Sequence, residues 1–190
     1  MTSTDTNTNS ETKQYPIDRV LARIATRPDV LATLRRGVGR SVEEAPGSWP
    51  YVMEVVGENR FREEAAHVVL GLFALHHQSR DPGSMNRPGW GIGRACSALK
   101  RRRAAGGLSD DGVERRFRSA VGADSLPALA THLRGLVTML RGEDLPLDYR
   151  QLYWDLAAWR APERRDRVAL RWARDYFSSR TEDQSEEEAP

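Results

Sequence analysis

The sequence contains one cysteine, Cys96, so it cannot close an internal disulfide, and nothing in it points to an oxidising compartment. It also lacks a long apolar run. The longest, Ala65 to Leu75, is interrupted by His67 and is too short to span a bilayer. No basic segment followed by an apolar one marks a secretory signal at the N-terminus. These absences predict a cytoplasmic protein with no membrane contact. Clustered carboxylates or histidines at metal-ligand spacing are missing, as is a nucleophile beside a base, so neither a metal nuclease nor a hydrolase is expected. No cofactor is implied.

Lysine is nearly absent: 27 of the 29 basic residues are arginine. A planar, weakly hydrated guanidinium fork suits phosphate oxygens, although a GC-rich genome writes Arg for Lys without any functional demand. The distribution of charge says more than the ratio. The formal charge of +2 includes residues 1–14 and 181–190, which hold seven acids against Lys13; residues 15–180 carry 28 basic and 20 acidic side chains, a net of +8. Both ends are too poor in apolar side chains to offset the entropy of ordering and are expected to be disordered.

Leu and Ala recur at helical spacing and no stretch alternates with period two, so the class is all-α. Helices are expected from Ile17 to Thr26 and from Pro28 to near Gly37 and Gly39. A short one follows through Tyr51 to Val56 with Ser48 as cap. The next, Phe61 to His77, carries Phe61, Ala65, Val68, Val69, Leu72 and Phe73 on one face. Residues 78–93, with two prolines and four glycines, read as a loop. This divides the chain into helical bundles at 15–80 and 94–180, joined by a Gly/Pro-rich loop over 81–93; a single domain with a long functional loop stays an alternative. Beyond the loop, helices are expected at Arg94 to Arg103, from a Ser109 cap through Val121, and along Leu126, Leu129, Leu133, Leu136, Val137 and Leu140. Asp148 and Gln151 form a capping box ahead of Leu152, and Pro162 opens a last helix with Val168, Trp172, Tyr176 and Phe177 inward.

The polar residues that could do chemistry have plainer readings. His76 and His77 are adjacent and diverge by about 100° on a helix, and His67 with His76 suits a packed or solvated pair better than a ligand pair. Asp110 and Asp111 stand where a helix dipole favours acids. Cys96 falls between Ile92 and Leu99 as a small core residue. GWGIGR at 89–94 lacks the Lys-Ser/Thr of a phosphate-binding loop, but as a Gly-rich turn it delivers Arg94 to a helix start, where backbone N–H groups and a guanidinium can grip one phosphate.

The strongest local signal is basic. Between Arg87 and Arg118 nine basic residues face three acids. Arg94 and Arg101 share one helical face and Arg115 and Arg118 another, so two short helices could present them on one surface; two ordinary solvated faces are the alternative. Arg94, Arg115 and Arg116 are expected to converge on one groove. A second stripe, Arg164, Arg167, Arg171 and Arg174, is accompanied by Glu163, Asp166 and Asp175 and is read equally well as a salt-bridged outer face.

The segments LRRGVG (34–39), Trp-Pro (49–50), GIGRA (91–95), ERRF (114–117), PLDYRQLYWDLAAW (146–159) and RWARDYF (171–177) occur in an order that resembles the CasB family, the small subunit of the type I-E CRISPR surveillance complex Cascade. The resemblance covers roughly residues 15–178. It implies two helical bundles without catalytic activity. It also implies two copies that bridge other Cascade subunits and help hold CRISPR guide RNA, target DNA and the displaced DNA strand in an R-loop, for antiviral defence. Arg35, Arg36, Arg94, Arg115 and Arg116 match its positions; Arg101, Arg102 and Arg118 join the candidate nucleic-acid surface on local charge alone. The run KRRRAAGG (100–107) is longer than the family usually has there. A free-standing helical regulator and a structural scaffold are the rival readings. The first would need Asn, Gln or Arg aimed at base edges, yet the basic helices contain no Asn or Gln. The second would show exposed aromatic patches, for which Trp49, Trp90 and Trp154 are candidates.

Overall fold

The structure, a computed structural model, describes residues 15–78, 80, 85–109 and 111–186, with side chains to residue 178. Within these residues the chain forms nine α-helices: α1 (Pro16–Ala25), α2 (Pro28–Arg36), α3 (Trp49–Val56), α4 (Glu63–His76), α5 (Ile92–Ala105), α6 (Asp111–Val121), α7 (Leu126–Gly142), α8 (Tyr149–Ala158) and α9 (Pro162–Glu186). Short 3-10 turns at Pro46–Ser48 and Arg60–Arg62 lead into α3 and α4. Residues 1–14, expected to be disordered, lie outside the described residues, as do Asp110 and residues 187–190. The acidic segment 181–190 was expected to be disordered as well, but α9 continues into it as far as Glu186.

Punctuation in the sequence sets most helix starts. Proline stands in the first turn of α1, α2, α3 and α7, where its missing N–H costs nothing. Asp148 caps α8 by accepting from the Gln151 N–H at 2.9 Å. The reciprocal half of the expected capping box is absent, because the Gln151 side chain lies over Gly91. Ser48 does not cap α3. Its hydroxyl bonds the Ala45 carbonyl and Nδ1 of His67 instead, holding the preceding turn on α4.

The helix α4 is buried almost all round, which fits its place against α2 and α3 on one side and α7 and α8 on the other. Phe61, expected on its buried face, precedes the first α-helical turn and is 77% exposed. The Leu126-to-Leu140 stripe of α7 is buried along its length and packs against α4 and α6, so the N- and C-terminal halves share one continuous hydrophobic cluster from Ile17 to Tyr176. On α9, Trp172 stacks with Trp159 at 5.2 Å and Tyr176 with Phe117 at 4.2 Å. Phe177, expected inward, turns to the surface: its neighbour Tyr176 takes the core position, and successive helix residues diverge by about 100°.

The described part of the Gly/Pro-rich loop is tied down. Leu147 N donates to Met85 O, Arg87 N to Leu147 O, and Asp148 N to Trp90 O at 2.8 Å, while the second Asp148 carboxylate oxygen accepts from Gly89 N, also at 2.8 Å. One aspartate thereby caps α8 and pins the loop that delivers α5.

Candidate nucleic-acid interface

The pinned loop presents an aromatic ring between two cations. Arg87 and Arg94 each place a guanidinium 5.1 Å from the centre of the Trp90 ring, one from the loop and one from the first turn of α5. Both arginines are exposed, and neither makes an ion pair among the described residues. A ring shared in this way fixes two long side chains by cation–π attraction without neutralising them.

The arginines of α6 divide between its flanks. Val113, Phe117 and Ala120 face the core. Arg116 lies along α7, over Gly135 and near the Met139 sulfur. Arg118, on the opposite flank, bonds Glu114 at 2.8 Å and stands over Phe177 at 5.8 Å. Glu114 also accepts from Lys100 of α5 at 2.6 Å, and with these two cations its carboxyl falls to about 2, the Lys100 hydrogen bond acting most strongly. Arg115 points away from the core between these flanks. Arg94 lies against Trp90 at the start of α5, Arg116 against Gly135 and Met139 of α7, and Arg115 is exposed.

Other sequence-predicted residues have internal roles. Arg35 donates to the Ala74 carbonyl in the last turn of α4, at 3.4 Å, and burial together with the charge of Arg141 lowers its pKa. Its guanidinium satisfies a helix end as well as adding charge. Arg36 bonds Thr33 at 2.9 Å and stays exposed. Arg102 lies 3.7 Å from Glu143 at the end of α7, and Arg101 bonds Ser97 one turn back. In the α9 stripe, Arg171 bonds the buried Asp155, whose other oxygen accepts from the Trp172 indole at 2.7 Å. Arg171 is thus part of the α8–α9 contact, whereas Arg164, Arg167 and Arg174 are exposed.

His67, His76, His77 and Cys96 face inward. His67 bonds Ser48, Gly37 O and Arg40 O. Nδ1 of His76 is 2.9 Å from the Tyr149 hydroxyl, and His77 stacks on Phe73 at 3.8 Å. Cys96 is fully buried, which pushes its thiol far up and keeps it protonated. Among the described residues no group of three His, Cys, Asp or Glu could hold a metal, and no helix is long and apolar enough to cross a membrane.

Sequence reasoning named Arg94 but missed its pairing with Arg87 across Trp90. The signal was present in the Arg-Pro-Gly-Trp-Gly-Ile-Gly-Arg order, but the loop conformation that brings both cations to one ring depends on Asp148, about sixty residues away.

The profile of the CRISPR-associated protein Cse2 family matches residues 30–177. Among solved structures, CasB from Thermobifida fusca is similar with 30% identity over 84% of this chain and 94% of that one, at a TM-score of 0.70. CasB from Thermus thermophilus is similar with 25% identity over 87% and 99% of the two chains, at a TM-score of 0.67. A chain of a CRISPR RNA-guided surveillance complex is similar with 25% identity over 91% and 95%, at a TM-score of 0.70. No curated protein matches the sequence.

Proposed function

Because this chain belongs to the Cse2 family of CRISPR-associated proteins, we propose that it is a non-catalytic subunit of an RNA-guided surveillance complex and that its exposed arginines hold nucleic-acid backbone there. The likeness to a chain of such a complex over nearly the full length of both supports the assembly. The observation that carries the nucleic-acid role is the Arg87–Trp90–Arg94 arrangement, which orders two guanidinium groups without an ion pair among the described residues, beside the basic α5–α6 region. Such groups meet phosphates at low entropic cost, and phosphate contacts position a strand without reading its sequence.

In this reading the partners are guide RNA, target DNA, the displaced strand, neighbouring subunits and a second copy of the chain. Exchange of a DNA duplex for an RNA–DNA hybrid is nearly balanced, so modest backbone contacts suffice to bias it. Arg94, Arg115 and Arg116 supply direct phosphate contacts, with Arg36, Arg101 and Arg102 adding to the field. Arg35 and Arg118 contribute charge while also serving a helix end and an ion pair.

Reconstitution tests the reading. A complex assembled with the Arg94, Arg115 and Arg116 to Ala variant should contain the subunit in full amount yet form R-loops less stably, with the deficit shrinking at low salt. R-loops as stable as those of the unaltered complex at every salt concentration would overturn it.

A further inference from the structure

A cleft of about 530 Å³ opens between the segment after α2, the start of α4 and the first turns of α7, within the roughly 300–1,000 Å³ of small-molecule sites. Its lining is partly apolar, with half-buried Val38, Val68 and Ala130 over the buried Leu72. Four arginines from four separate segments line it: Arg40, Arg60, Arg134 and Arg160. All four are exposed, and among the described residues none has an ion pair or a side-chain hydrogen bond.

Three acids also line the cleft, and each is placed otherwise. The Glu43 carboxylate turns back on its own backbone and the Ser41 hydroxyl, which lowers its pKa. Glu63 and Glu64 occupy the first turn of α4, where the helix dipole favours them. None of these carboxylates forms an ion pair with the four arginines among the described residues, although nine ion pairs are formed elsewhere in them. Four cations lining one cleft repel each other, and an anion among them relieves that repulsion.

The wall after α2 is built to stay open. Gly71 of α4 is crossed so closely by this segment that a methyl group there would stand 2.9 Å from the Val38 side chain. His67 holds the carbonyls of Gly37 and Arg40 from below, and the Trp49 indole holds that of Val42 at 2.7 Å. A fixed wall lined by both arginines and apolar side chains fits a ligand with a phosphate at one end and a flat, weakly polar body at the other.

We propose that this cleft receives a single nucleotide unit of a nucleic-acid strand, its phosphate held by Arg134 and Arg160 and its base against the apolar side chains of Val38, Val68 and Ala130. The proposal rests on the nucleic-acid role above and adds a second site remote in sequence from α5 and α6. One nucleotide unstacked from its strand would be seated here, marking a fixed register of the strand on the protein.

The test uses the full-length chain labelled with nitrogen-15 and three probes: adenosine 5′-monophosphate, ribose 5-phosphate and inorganic phosphate. The nucleotide should shift the amides of Gly39, Val68 and Gly71, and bind at least tenfold more tightly than ribose 5-phosphate. Arg134→Ala with Arg160→Ala should weaken the nucleotide at least tenfold at unchanged thermal midpoint, while Arg115→Ala with Arg116→Ala should leave it unchanged. Equal binding of all three probes would show a phosphate site only and overturn the seating of a base. No shift at these amides with the nucleotide, while long single strands still bind in a salt-dependent way, would overturn the cleft proposal and leave the nucleic-acid role standing. Loss of long-strand binding to the unaltered chain would instead count against that role.

Discussion

Gly93 lies so close to α9 that a methyl group on its Cα would stand 2.2 Å from the backbone oxygen of Trp172. The obstacle is main chain on a helix whose Trp172 is packed against Trp159, so it cannot rotate aside as a side chain would. The close crossing of α5 and α9 therefore depends on the absence of one carbon.

Gly93→Ala should accordingly destabilise the protein although alanine is the better helix former. Overpacking of this kind costs about 1–3 kcal/mol. For a chain of this size that lowers the melting midpoint by roughly 2–4 °C per kcal/mol. Gly142→Ala, where an added carbon meets nothing within 4 Å, is the matched control. Thermal unfolding followed by circular dichroism decides it, and an unchanged midpoint for Gly93→Ala would contradict the crossing geometry.

The buried histidines make stability depend on pH. Burial lowers His76 to about 3, helped by the neighbouring His77, and lowers His77 to about 4. A depressed folded pKa contributes stability that is present above the unfolded value near 6.5 and is lost as pH falls toward the folded values. Between pH 7 and pH 5 the two rings together remove on the order of 3 kcal/mol. His77→Phe keeps the stack on Phe73 and removes one titrating ring, so the drop in melting midpoint from pH 7 to pH 5 should shrink by about half. An identical drop in both proteins would refute this assignment.

Asp155 joins α8 to α9 through Trp172 and Arg171. Asp155→Ala leaves the Trp172 N–H buried without a partner, a cost of about 1–3 kcal/mol before lost packing is counted. Asp155→Asn, whose amide oxygen can still accept from the indole, should lose clearly less. Urea midpoints of the two variants measure the difference, and equal losses would show that the carboxylate acts through its charge toward Arg171 rather than as the acceptor of the indole N–H.

Removing Arg94, Arg115 and Arg116 together should change folding little, since exposed positions usually cost within about half a kcal/mol each. Binding of single-stranded DNA should lose about 2 to 3 units of slope in log K against log salt. The control is Arg164, Arg167 and Arg174 to Ala. Arg171 is excluded because its bond to Asp155 would confound folding with binding. If the control abolished binding while the first variant bound normally, the nucleic-acid surface would lie on α9.

Trp90→Ala removes the ring between Arg87 and Arg94 without removing charge. If ordering of the two guanidinium groups matters, affinity should fall several-fold while the salt slope stays the same, because the slope counts phosphate contacts and not their preorganisation. A reduced slope at unchanged affinity under low salt would assign the tryptophan a different role.

Much of this protein is local and was open to reading from the sequence alone. The all-α class, the buried stripe from Leu126 to Leu140, the proline starts and the Asp148 cap each depend on residues within a few positions of one another, and helical periodicity and capping express that short range directly. The failures have a common form. Phe61 and Phe177 were placed inward from periodicity, but a helix beginning at Glu63 excludes the first, and Tyr176 packing on Phe117 displaces the second. The candidate site shows the same division. The sequence located a surplus of arginine, whereas only the tertiary structure decided which arginines serve the fold: Arg35 reaches Ala74 O on α4, Arg171 binds Asp155 on α8, and Arg118, beyond its local pair with Glu114, stands over Phe177 of α9. The cleft was invisible for a related reason, since Arg40, Arg60, Arg134 and Arg160 are 120 residues apart from first to last and no local pattern joins them. Charge is a property of composition, but whether a charge is spent within the protein or left for a ligand is fixed by partners that only the packing of distant helices brings near.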